Sequence, residues 1–135
     1  MSEVSDEDLF AAAEAIRQKA HVPYSHFAVG AAILADDGQI YAGCNIENAA
    51  YPQGNCAEAS AISAMIAAGA KRILRIYVTG PGHQPVTPCG GCRQRIREFA
   101  EPDAAIISHG VEGKPLHATL AELLPHSFGP DYLNG

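Results

Sequence analysis

A chain of 135 residues, 47% apolar and 18% charged, is long enough to bury a core in one domain and too short for two, and its composition excludes a disordered protein. The formal net charge of -6 argues against nucleic acid as a partner, because backbone binding depends on a basic surface that displaces counterions. No apolar run approaches the roughly 20 residues of a membrane span, and the acidic segment 2–8 lacks the basic start of a signal peptide, so a cytoplasmic protein with a small soluble ligand is expected.

In chain order, Ser5-Asp6-Glu7-Asp8 reads as an N-cap followed by an acid three residues on, which opens a helix running toward Ala20. Leu9, Phe10, Ala13, Ile16 and Ala20 fall on one face at helical spacing. Residues 28–35 predict a buried strand, Asp37-Gly38 a hairpin turn, and 39–46 the returning strand. A loop rich in Gly, Asn and Pro (48–55) leads to an alanine-rich helix over 56–68, stopped by Gly69. A third strand is predicted over 73–79, then a loop, a short helix over 89–99 and a fourth strand over 104–108. A fifth is placed near 111–117, although Gly113 and Pro115 interrupt it. Thr119-Leu120-Ala121-Glu122 is a capping-box pattern for a last short helix ended by Pro125. Helices interleaved with strands imply one domain whose sheet is covered on both faces.

Four cysteines carry the chemistry: Cys44, Cys56, Cys89 and Cys92. Pro88-Cys89-Gly90-Gly91-Cys92 stands at the head of a predicted helix, where the first turn brings two sulfurs to one side and onto one metal ion. A redox pair and a buried structural pair are the alternatives for a Cys-x-x-Cys spacing. Asn55-Cys56-Ala57-Glu58, at a second predicted helix start, offers a third sulfur and a carboxylate near the metal's open position. Three protein ligands and one water mark a catalytic zinc site, whereas Cys44 as a fourth ligand would make a structural one. The six histidines show no paired ligand spacing and read as surface or satisfied core residues.

Cys56-Ala57-Glu58 followed by Pro88-Cys89-Gly90-Gly91-Cys92 matches the all-cysteine form of the zinc deaminase signature. Together with 24–32 (Tyr24-Ser25-His26-Phe27 at its head), 43–51 around Asn45-Ile46-Glu47, 87–94, and Glu122-Leu123-Leu124-Pro125, the chain resembles the short, homotetrameric cytidine deaminases over nearly its whole length. The resemblance implies an α/β fold, a three-layer α/β/α sandwich around a mixed sheet of about five strands. It implies one Zn²⁺ on Cys56, Cys89 and Cys92, and Glu58 as the proton shuttle. Phe27, Asn45, Glu47 and Ala57 are then nucleoside contacts, with Asn45 and Glu47 on the ribose hydroxyls, and Phe128 packs against the base in a neighbouring subunit's site.

The reaction so implied is hydrolytic deamination of cytidine and deoxycytidine, as in pyrimidine salvage. Glu58 takes the proton of a zinc-activated water that attacks C4, then returns protons to N3 and to the leaving amine. One position departs from the family: Ala59 stands where an arginine usually follows the glutamate. That arginine would help neutralise the third thiolate, so another positive group is expected in its place, with Arg93 or the N–H donors of the two helix starts as candidates. Three rivals use the same residues differently: a deaminase of another aminopyrimidine such as blasticidin S, an editing deaminase on RNA or single-stranded DNA, and a non-enzymatic four-cysteine zinc module. Asn45 and Glu47 favour a ribose, and the acidic charge disfavours a polynucleotide.

Overall fold

The computed structural model describes residues 3–134. Helix α1 (Asp6–Arg17) precedes strands β1 (Gly30–Ala35) and β2 (Ile40–Cys44), helix α2 (Ala57–Ala67), strand β3 (Ile73–Gly80) and helix α3 (Gly90–Phe99). Strands β4 (Ala100–Gly110) and β5 (Leu116–Thr119) and the short helices α4 (Leu120–Leu123) and α5 (Asp131–Asn134) complete the order. The strands form one mixed sheet, β2-β1-β3-β4-β5, in which β3 and β4 are parallel and the other pairs antiparallel. A parallel pair needs a crossover, and α3 supplies it.

Side-chain alternation along the strands sends two apolar sets to opposite faces. On one face Ala32, Tyr77 and Ile107 meet Leu9 and Ala13 of α1. On the other, Ala31, Ile33, Ile76, Val78 and Ile106 pack with Ala57, Ala61 and Met65 of α2 and Ile96 of α3. The expected three layers and mixed five-stranded sheet are therefore present. None of the described helices is long and apolar enough to cross a membrane.

The helix signals act as local chemistry requires. The Asp8 N–H donates to the Ser5 hydroxyl at 3.1 Å, while the Ser5 N–H donates to the Asp8 carboxylate at 2.9 Å. Thr119 and Glu122 make the same reciprocal pair at α4. Gly38 (φ 82°) turns the β1–β2 hairpin and Gly69 (φ 97°) ends α2, both in the left-handed region that lacks a penalty only for glycine. Helix α1 stops at Arg17, three residues before Ala20, because the following chain turns off and His21 bridges to Ile46.

The fifth strand lies later than 111–117. The N–H groups of Val111 and Glu112 donate to Gly80 and Gly82 oxygens, and that of Gly113 to Gly110, so this stretch is a turn tied to the β3 exit and pairing resumes only at Leu116. A 3-10 turn at Tyr51–Gln53 lies in the segment predicted as loop, and the terminal α5 lies beyond the last predicted element.

Close helix-to-sheet contact depends on Gly43. A Cβ there would stand 2.3 Å from the Ala61 nitrogen, so α2 lies directly on the backbone of β2. That contact sets the height of the α2 N-terminus above the sheet edge.

Candidate active site

Cys56 and Cys89 are the N-cap residues of α2 and α3, both with extended backbone. Neither head is closed by a side-chain cap, so first-turn N–H groups and the positive ends of two helices face the thiols. Cys92 lies one turn into α3 and is fully buried. The three sulfurs lie within 4.8 Å of one another, although Cys56 and Cys89 are separated in sequence by the whole of α2 and β3. Cys44 is not part of this cluster.

The donor set fits zinc: sulfur ligands at mutual distances that one ion can bridge, and three of them rather than the four of a closed structural site. Burial pushes the Cys56 and Cys92 thiols up from their ordinary values, while the Cys92 N–H beside Cys89 holds that thiol down. Binding as thiolates releases the thiol protons, and at Cys56 and Cys92 it works against burial.

Glu58, in the first turn of α2, is a carboxylic acid only 5% exposed. Burial is the main influence on it and raises its pKa, opposed by a hydrogen bond with its own backbone N–H, by the Cys92 thiol and by the charge of Arg95. It lines a hollow of about 150 Å³ together with Cys56, Ala57, Cys89, Asn45, Val29 and Val86. Asn45 and Cys56 also line the adjoining cleft of about 570 Å³, which Tyr24, Ser25, Glu47 and Tyr51 wall. A broad vestibule thus narrows onto the thiols and Glu58.

Two residues expected on the ribose are also structural ties. Asn45 Nδ2 donates to the Phe27 carbonyl and its Oδ1 accepts from the Val29 N–H, each at 2.9 Å. Glu47 Oε1 accepts from the N–H groups of Tyr24 and Ser25 at 3.0 and 3.1 Å, and Oε2 accepts from the Ser25 hydroxyl. The Ser25 hydrogen bond is the main reason the Glu47 carboxyl sits below its ordinary value. Tyr24 and Ser25 stand in the matched segment 24–32 and Tyr51 ends the matched segment 43–51, yet none of the three was expected as a ligand contact. Phe27 is 44% and Phe128 54% exposed, and Phe128 stacks on Tyr132 of α5 rather than lining either hollow.

The expectation for Arg93 is corrected by its contacts. Its guanidinium donates to the carbonyls of Pro88 (2.7 Å) and Leu123 (2.9 Å) and to Thr87 Oγ1 (3.3 Å), tying the Cys89 loop to α4. Arg95 is the one that turns back to the clustered thiols, with Nη1 3.5 Å from Cys92 Sγ. Among the histidines, His109 is a satisfied core residue, bonded to the Tyr77 hydroxyl and the Gly113 carbonyl.

Comparison with known proteins places this geometry among relatives. Residues 3–108 match the model of the cytidine and deoxycytidylate deaminase zinc-binding region. The chain is 42% identical over 128 residues to the cytidine deaminase of Sporosarcina psychrophila, covering 95% of this chain and 94% of that one. It is 40% identical over 114 residues to that of Mycobacterium tuberculosis, with 84% and 82% covered. The crystal structure of cytidine deaminase from Burkholderia pseudomallei superposes with a TM-score of 0.87 at 40% identity, covering 92% of this chain and 99% of that one.

Proposed function

The chain belongs to the cytidine and deoxycytidylate deaminase family, and from that premise we propose that it is a zinc-dependent cytidine deaminase, hydrolysing cytidine and deoxycytidine to the uracil nucleosides and ammonia. The observation that carries this reading is a buried carboxylic acid, Glu58, lining one small hollow with two of three clustered thiols. Cys56, Cys89 and Cys92 hold the zinc. Bound there, zinc supplies a Lewis acid that brings the ionisation of a water toward neutral pH.

The remaining steps belong to the chain's own side chains. Glu58 accepts one proton of the attacking water on a carboxylate oxygen and delivers it to ring N3, then takes the second from the hydroxyl newly formed at C4 and delivers it to the amine, which departs as ammonia while the C4 carbonyl forms. One group serves both directions because the steps are sequential, and burial suits it by raising its pKa toward the working pH. Asn45 and Glu47 orient the ribose from the lining of the cleft, using the N–H and lone pairs left over from their ties to the 24–29 segment. Ala57 and Phe27 contact the nucleoside, and Phe128 closes the site of a neighbouring subunit in a homotetramer. The stack of Phe128 on Tyr132 leaves both rings more than half exposed, so Phe128 is free to meet such a neighbour. Four cysteines without a disulfide fit a reducing, cytoplasmic setting.

The deciding experiment is Glu58→Gln. Zinc content and fold should be retained while kcat falls by at least roughly 100-fold on cytidine, the usual scale for losing a general acid–base group. Near-normal turnover would move the proton shuttle to another residue.

A further inference from the structure

Zinc with three thiolates carries a formal charge of -1, whereas the same three groups as free thiols are neutral. Loading the site therefore adds negative charge to a partly buried hollow, and a fixed cation within hydrogen-bond reach of a sulfur favours the loaded state. Among the described residues, Arg95 is the one cation with a hydrogen bond to these sulfurs. Its position three residues after Cys92 on α3 puts both side chains on one helix face.

Two local features make room for this contact. A Cβ at Gly91 would lie 3.3 Å from Arg95 Nη1, so the absent side chain leaves the guanidinium its place beside the first turn. Ala59 and Arg95 also line one cleft between α2 and α3, so the short side chain at 59 leaves open the space that Arg95 faces. Arg93, the other arginine of this turn, is committed to three oxygen acceptors.

We infer that Arg95 is the positioning residue that neutralises and orients the Cys92 thiolate in this chain, the part that position 59 leaves unfilled. The inference rests on the proposed zinc site. Arginine suits the task because it keeps its charge at any working pH and is weakly hydrated, so a contact with sulfur costs it little solvation. It acts through Cys92 and touches no reacting atom.

The test compares wild type, Arg95→Gln and Arg95→Lys by zinc titration against a chromophoric chelator and by the thiolate-to-cobalt charge-transfer band of the cobalt-loaded proteins. Arg95 is exposed, so neither variant removes core packing. Wild type should bind one metal per chain, and the Gln variant should bind roughly tenfold more weakly or worse, the scale of one charge-assisted hydrogen bond. Its charge-transfer band should move to lower energy, because a sulfur without a hydrogen bond gives up electron density more easily. The Lys variant should lie between the two. Unchanged affinity and an unshifted band in the Gln variant, or equal loss in Gln and Lys, would overturn the inference while leaving the zinc site intact. A wild type that binds no zinc would instead overturn the site itself.

Discussion

Asn45 and Glu47 each hold the chain that carries Phe27 and at the same time face the cleft, so replacing either should disturb folding and binding together. Asn45→Ala removes the partners of the Phe27 carbonyl and the Val29 N–H. We expect a loss of about 1–3 kcal/mol in denaturant stability along with a raised KM for cytidine. A change in KM with full stability would make Asn45 a ligand contact alone. The cysteines should separate more sharply: alanine at 56, 89 or 92 should abolish stoichiometric zinc, and Cys44→Ala should retain it, as metal analysis of purified variants will show. The clustering of Cys56, Cys89 and Cys92 was legible because the deaminase signature picks these three out, whereas cysteine spacing alone left a redox pair and a four-cysteine site open. Arg95 was not singled out, yet the signal existed: on a helix, i and i+3 share a face, whereas Arg93 at i+1 points about 100° away from Cys92.

Helix α2 brings Cys56 and Glu58 to the hollow only because it can lie on Gly43. Gly43→Ala should lift the helix, costing about 1–3 kcal/mol by overpacking and weakening zinc retention with it; thermal denaturation and metal content measure the two effects. Helix α1 supplies a pH dependence. Bonding to Arg17, at 2.6 and 2.9 Å, is the largest influence on the Glu14 carboxyl and holds it below its ordinary 4.5. A lowered folded-state pKa means the contribution is complete above the unfolded value and is lost as pH falls through the folded one. Glu14→Gln should therefore be less stable than wild type at pH 7, by about 0.5 kcal/mol, with the two curves converging in acid. Elements with local signals were legible: both capping boxes, the Asp37-Gly38 turn and the Gly69 stop. The β5 boundary was not, since residues 111–113 turn to satisfy carbonyls of the β3 exit, a long-range demand that no window of sequence contains.

At the scale of the molecule, Phe128, Tyr132 and Leu133 expose apolar surface near the C-terminus, where the proposed homotetramer would seat a neighbour. Phe128→Ala should raise KM well before it affects zinc content, and sedimentation should find the active wild-type protein as a tetramer; a fully active monomer would remove Phe128 from the site. The layered fold was legible from helices alternating with strands, but the strand order, with β1 inserted between β2 and β3, depends on pairings that alternation does not specify. That order has a consequence for how the protein comes apart. The segment between Cys56 and Cys89 contains β3, the central strand, so a metal joining the two helix heads closes a ring around the middle of the sheet. If the ring restricts the unfolded chain as a disulfide would, its closure is equivalent to about 3–4 kcal/mol. Zinc would then govern the lifetime of the native state as well as its chemistry: stripped by a chelator, the chain should become a substrate for pulse proteolysis under conditions where the loaded protein survives.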